Sequence, residues 1–547
     1  MNNYAPFSIL KSRIGKKINY AFLMAGTAYF MFLIIPSCQL EAQSTYYIDP
    51  SLGGSGGNGT MDNPYHSWFD VQWTDGSAYL QKRGTDFHTT KSVLVWARNV
   101  TFDAYGEGPK PIIRDVSDNS YKILDVFQKG NFTIRNFEII SDTKVSSTCA
   151  EFKGNENISI DSCIFHGSDW GIRFLFNKGT MKINRSVVYD TYDDGIYIKD
   201  NAPGEGEYSL RDSVHIQYSN IYDVNRGHYE DPDGPAGGDC LQLDDINGFY
   251  INNNILDRSL TDIKFCLIVG ECGYGLVEEN HFIGYGPGMS NMYIHETKEM
   301  MIRYNLFDNA TYGIFNSSGK HIELHYNIFN NHEVSYSGNQ NDGSFSNIYN
   351  NLFMNAERAI IAWKPVRIYN NIFYNMSGMS IYGANDIVSD NNCYYNAEPR
   401  LEKNSVLESP MFMNASAGDF RLQDNSPCID KGVDNPKVFR DLSRHLVPYN
   451  SKTDIGVYEW IDENDVDYAD QFEIISDTDL GGFTISTSFD TVTTDIDVYD
   501  ISGRILYKLK DVDINQSHFN LRLPKGLIIL KFKTVSGLEE THKLVVL

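Results

Sequence analysis

Basic residues are scarce. The 547-residue chain holds 46 Lys and Arg against 71 Asp and Glu, a formal net charge of -25. So acidic a surface lacks the phosphate contacts that nucleic acids and anionic membranes require. It keeps an exported protein soluble, and a polyanionic substrate would need a local basic patch or bound cations to approach it. Cysteine is sparse too: eight residues, with no Cys-x-x-Cys and no zinc-ligand spacing. Cys149, Cys163, Cys240 and Cys266 fall inside strand-like segments and read as small buried hydrophobes. Cys266 and Cys272 are near enough in sequence to pair, but no further feature favours the bond. Long apolar runs are absent except for "AFLMAGTAYFMFLIIP" (21–36), which is short for a membrane span.

That run follows the basic "KSRIGKK" (11–17) and has the make-up of a signal peptide. Two processing routes are open: cleavage near Ala42–Gln43, or a lipoprotein signal acylated at Cys38 behind Ile35-Pro36-Ser37. Without Cys38 the cysteine count is odd. Either route predicts export.

What the chain has in quantity is aromatic residues, 13%, with much Gly and Asn. These favour strands joined by tight turns. "NIYNNLFMN" (347–355) and "RIYNNIFYN" (367–375) say nearly the same thing twice. Anchoring each unit on the residue before an apolar pair gives Asn136, Cys163, Ser186, Asn220, Asn254, Asn280, Asn305, Asn327, Asn351, Asn371 and Asn392. Most spacings fall between 20 and 27 residues, and two reach 34, the pattern of a solenoid with loop insertions. Alternation inside each unit, as in "GFYINNNILD", indicates strands. Three short strands per coil, stacked in parallel at ~4.8 Å, make a rod of roughly 50 Å from eleven coils. The recurrent Asn tolerates left-handed backbone angles, and its amide can bond the next Asn along the stack. The expected fold is all-β: a right-handed parallel β-helix followed by a small C-terminal β-sandwich.

The ends carry resemblances. "YYIDPSLGGSGGNGTMDNPYHSW" (46–68), "SPMFMNASAGDFRLQDNSPCIDKG" (409–432) and "DIGVYEW" (454–460) resemble the entry segment and terminal coils of secreted β-helix carbohydrate-active proteins. Residues 459–480 hold nine acids and no Lys or Arg, which reads as a solvated linker. Beyond it, "VYDISGRILYKL" (498–509), "LPKGLIILKFKT" (523–534) and the final "HKLVVL" resemble the C-terminal sorting domain of type IX secretion cargo. Leu527-Ile528 departs from the usual pattern after "LPKG". The expected organisation is a signal peptide over 1–43, a β-helix over 44–460, an acidic linker over 461–480 and a sorting domain over 481–547. The resemblance implies secretion from, or retention on the surface of, a Bacteroidetes-type Gram-negative cell, with the type IX machinery as partner; the chain is expected to be a monomer.

Chemistry is sought where outward side chains of successive coils form columns. With Ile172, Ile196, Leu241, Cys266 and Met292 inward, one outward column reads Arg173, Tyr197, Gln242, Leu267 and Tyr293. The next reads Leu175, Lys199, Asp244, Val269 and His295. Trp170, Asp194, Asp239, Lys264 and Ser290 occupy the preceding turn. The longest coils flank this place, and the insertion "HYEDPDGPAGGD" (228–239) adds Asp231 and Asp233. Long loops beside a charged strand face suit a substrate cleft.

"DDGI" (193–196) with "GGDCLQL" (237–243) resembles calcium-dependent pectate lyases of the β-helix type. The resemblance implies Ca²⁺ on Asp193, Asp194, Asp239 and Asp244, with a basic residue abstracting the proton beside a uronate carboxylate. The matching base position is Gln242, which cannot take a proton, so the role passes to Lys199 or Lys264, with Arg173 beside them. Tyr197, Gln242, Tyr293 and His295 are expected to contact the sugar. A second reading is glycosidic hydrolysis by paired carboxylates, Asp194 with Asp239 or Asp239 with Asp244. A third is a non-catalytic glycan-binding rod. The plainer readings are an Asp-Gly turn at Asp193, a cross-coil salt bridge at Lys199 and a bystander His295.

Overall fold

The structure is a computed structural model. It describes residues 44–546 except 118, 120, 128–129, 143–146, 200–212, 225–237, 261–264, 339–344, 364, 385–386, 436–439, 463–472, 478–481, 487–492, 501–504, 514–517 and 520–525, and 535–538. The signal segment, Cys38, Asp231, Asp233 and Lys264 lie outside the described residues, as do parts of both sorting motifs.

Each coil contributes three short strands. One coil runs Thr180–Asn184, Val187–Thr191 and Ile196–Lys199. The first strands stack into a fourteen-stranded sheet, and the second and third strands form the rest of the wall. Pairing is parallel throughout, one coil to the next. This is the parallel β-helix the repeat predicted. Two antiparallel sheets, of three and four strands, form the C-terminal region. Strand Glu473–Asp477 pairs with Gly482–Ser486, so regular structure begins inside the acidic segment.

The period-2 alternation drives the packing. Inward residues such as Ile160, Ile183, Ile216 and Ile251 are fully buried one above another. Phe282, Phe307, Phe329, Phe353, Phe373 and Tyr394 form a continuous stack, with centroids 4.6–5.5 Å apart. Apolar surface leaves water along the whole axis, at about 25 cal/mol per Å². Trp68, whose Nε1 donates to Gln81 Oε1 at 2.7 Å, closes the first coils. Phe412, Phe420, Leu422, Ile455 and Val457 seal the last ones against Leu352, Ile372 and Cys393.

The turn between first and second strands is held by a ladder. Asn280, Asn305, Asn327, Asn351, Asn371 and Asn392 each accept the backbone N–H of the preceding rung at 3.0 Å, and Asn254 accepts that of Ser219 at 2.9 Å. Toward the N-terminus, Ser219 and Ser186 hydroxyls take the same place. Two corrections to the anchoring follow. The rung of the fourth coil is Ser219, not Asn220, and Asn136 precedes its rung, Phe137. The left-handed angle belongs to the residue before each rung: Asn136, Ser162, Arg185, Tyr218, Asn253, Glu279 and onward all have φ of 47–63°. Seven described cysteines are free and buried, Cys266 and Cys272 among them.

Candidate functional site

The register of the third strands fixes the outward columns. The first runs Asp125, Glu151, Arg173, Tyr197, Gln242, Ile268, Tyr293 and Phe315. The second runs Phe127, Lys153, Leu175, Lys199, Asp244, Gly270 and His295. One coil differs from the sequence reading. Leu267 and Val269 are inward and fully buried, so Ile268 and Gly270 take their outward places. The apolar run "FCLIV" offers no alternation from which the frame can be read.

Gly270 is the centre of the arrangement. A Cβ at this position would stand 2.7 Å from Asp244 Oδ1. Glycine therefore leaves a notch in the column, with Asp244 on one side and His295 on the other.

Asp244 is mostly enclosed. Burial raises its pKa, and the amide of Gln242, donating from Nε2 at 2.8 Å, opposes part of that rise. Lys199 faces the neighbouring Asp245, Nζ to Oδ2 at 3.7 Å. Tyr197 hydrogen-bonds Asp244, and burial followed by that carboxylate's charge pushes its phenol up to about 12. Its ring lies 5.6 Å from Trp170, and the Arg173 guanidinium covers the same indole at 4.7 Å. Tyr293 stacks between Phe265 and Phe315, at 5.1 and 5.7 Å. His295 is fixed through Nδ1 by the hydroxyls of Ser318 and Ser317, at 3.1 and 3.3 Å. Its Nε2 faces Glu296 at 3.8 Å.

Two acidic groups were not singled out in the sequence. Glu151 is buried between Lys122 Nζ at 3.0 Å and Arg173 Nη1 at 3.2 Å. Asp125 lies beside it in the adjacent coil, and burial, with a contribution from the Glu151 charge, raises its pKa. The alternation of "KILDVF" and "TCAEFK" carries both into the Arg173 column, so the signal was there to be extended two coils.

Asp194 and Asp239 occupy the turn before the third strands and are buried, only 3% and 2% exposed. Asp194 Oδ1 accepts the N–H of Asp239 at 2.7 Å, and Asp239 Oδ1 accepts that of Phe265 at 2.8 Å. They extend the turn-holding logic of the Asn ladder to another corner. Asp193 is half-buried in the same turn, and its N–H donates to the Asp169 carbonyl at 2.7 Å. Asp244 lies at the far end of its strand, held by Gln242. The four aspartates expected to bind calcium do not gather at one point, so no step below runs through that ion. Among the described residues, the acidic and imidazole groups that do converge are Glu271, His295 and Glu296. The charge of Asp245 is the main cause that raises the pKa of Glu271.

No family model and no curated protein matches the chain. Several solved structures do. A lacto-N-biosidase from Eubacterium ramulus is 12% identical, over 67% of this chain and 68% of its own, with a TM-score of 0.38. The pectate lyase Pel9A is 13% identical, over 77% and 98%, with a TM-score of 0.35. A tailspike of Acinetobacter phage AS12 is 10% identical, over 91% and 82%, with a TM-score of 0.32.

Proposed function

We propose that the protein cleaves a uronate-containing polysaccharide by β-elimination, with the cut made at the Gly270 notch. The observation that carries the reading is the column Lys199, Asp244, Gly270, His295. It sets an amine, a carboxyl whose pKa burial raises, a gap and an oriented imidazole in successive coils.

Elimination makes three demands, and each has an occupant. The uronate carboxylate must be neutralised to acidify the adjacent C5–H, which falls to Arg173 and the Gln242 amide. A base must take that proton, and the amines available are Lys199 in the column and Lys264, which immediately precedes Phe265 in the sequence. The C5 electron pair then forms the C4=C5 double bond as the C4–O bond breaks. The leaving oxygen takes a proton from Asp244, which Tyr197 hydrogen-bonds. Tyr293 and His295 position the sugar beyond the notch. Asp194 and Asp239 act as positioning residues that fix where the third strands begin.

The test is ultraviolet absorbance of unsaturated uronate during digestion of acidic polysaccharides. Alanine variants of Lys199 and Lys264 identify the base: its loss abolishes the signal, and loss of the other does not.

A second reading, hydrolysis, is favoured by one observation. Asp125 and Glu151 are neighbours in one column, roughly 5 Å apart as coils stack. Their environments differ: Asp125 has a raised pKa, and Glu151 is paired with two cations. That separation suits a retaining acid and nucleophile. New reducing ends without absorbance, lost in Asp125→Asn, would select it.

The export route belongs to the same proposal: a signal peptide removed after 43 or at Cys38, and delivery by the type IX machinery. N-terminal mass spectrometry of the mature protein decides between the two cleavage sites.

A further inference from the structure

We infer that the polysaccharide is gripped far from the cut, by Trp96 at one end of the Gly270 column and Trp363 at the other. The inference rests on the reading that this face takes a polysaccharide, and adds that the enzyme holds long chains and cuts inside them.

Register places both residues. Val95 pairs with Val126, so Trp96 falls beside Phe127, which heads the column leading to Lys199, Asp244, Gly270 and His295. At the other end, Ile294, Asn316, Gly338 and Ala362 are partners in turn. Trp363 therefore continues the line of His295 and Ser317. Ten coil steps separate the two indoles, roughly 48 Å at the parallel-strand spacing.

Their exposure is unusual. Trp96 is 62% exposed and Trp363 44%. Among the described residues no other tryptophan is exposed, and these two share one column. Each also has an exposed aromatic companion. Phe127 stands beside Trp96, and Tyr382 meets Trp363 edge-on at 5.4 Å. Leaving such large apolar rings in water costs burial that the rod gets from its other aromatics. Flat indole faces stack on the C–H faces of sugar rings, and they flank the notch on both sides. A chain touching both must run along the axis and cross Gly270 without ending there.

Binding tests this apart from turnover, using the full chain and polygalacturonate as probe. Affinity electrophoresis measures retardation of wild type, Trp96→Ala, Trp363→Ala and the double variant in gels containing the polymer. Competition by trigalacturonate measures the central subsites alone. Each single variant is expected to bind the polymer about three- to ten-fold more weakly, and the double variant to lose roughly the product. Competition by the trimer is expected to stay as in wild type. Retention of wild-type affinity for polymer in the double variant would overturn the inference and leave the cleavage reading standing. So would equal losses toward polymer and trimer. No retardation of wild type would overturn the inference together with this substrate class. Weakened polymer binding in a protein that yields no unsaturated product would sustain the grip and remove the lyase.

Discussion

Gly270 sits one coil from Asp244, and its missing Cβ is what keeps Asp244 Oδ1 open: the atom would lie 2.7 Å away. The φ of Gly270 lies outside the left-handed region, so alanine meets no backbone strain there. Gly270→Ala is therefore a filling of the notch. The expected result is at least about a tenfold loss of kcat, because a displacement near one ångström is enough to misplace a reacting group. Far-UV circular dichroism should match wild type.

The acid role of Asp244 sets a pH dependence. Burial raises its pKa, so the proton-bearing form persists above the ordinary carboxylate range and activity falls as pH climbs through the shifted value. Gln242 donates to Asp244 Oδ2 at 2.8 Å and favours the ionised form. Gln242→Leu removes that bond, so the falling limb of the rate profile should move to higher pH. A limb that stays in place would take Asp244 out of the acid role.

The Asn ladder carries stability. Asn327 accepts from the N–H and the amide of Asn305, both at 3.0 Å, and donates to the carbonyl of Ile302 at 2.9 Å. Asn327→Ala leaves the buried N–H of Asn305 without its acceptor, at about 1–3 kcal/mol, and the Ile302 carbonyl loses a donor. Urea unfolding should show a loss of about 2–4 kcal/mol, larger than for an exposed Asn→Ala such as at Asn220. An equal, small loss at both sites would mean the rungs are not what holds the coils.

The terminal cap holds buried acids. Burial, joined by their neighbours' charges, pushes Asp454 up to about 7 and Glu459 up to about 9, with Asp430 and Asp441 facing them. Folding thus favours their protonated forms. That contribution is complete below the ordinary carboxylate range and is lost as pH rises through the raised values. The melting temperature should fall between about pH 6 and pH 9, and Glu459→Gln should flatten the fall. A melting temperature that rises across the same interval would contradict the sign.

The fold was legible because its signal is periodic. Eleven anchors at a near-constant spacing, each flanked by alternation, admit few architectures. The anchor offsets at Asn136 and Asn220 were not legible, since Asn suits both the left-handed turn position and the rung beside it. The site was legible only in part. Arg173, Tyr197, Gln242, Lys199, Asp244 and His295 follow from alternation, but the frame slips at "FCLIVG", where every residue is apolar. That slip hid Gly270, whose role lies in what it lacks. Asp194 and Asp239 drew attention as carboxylates, whereas depth and hydrogen bonding to the next coil's N–H groups are three-dimensional facts.

The most direct measurement is ultraviolet absorbance beside a reducing-end assay, run on the purified protein with a panel of acidic polysaccharides, with and without chelator. The account predicts absorbance and reducing ends rising together on at least one uronate polymer, unaffected by chelator, and lost in Gly270→Ala. Reducing ends without absorbance would contradict elimination and move the chemistry to Asp125 and Glu151. Neither signal on any polymer would contradict catalysis itself and leave a glycan-binding rod.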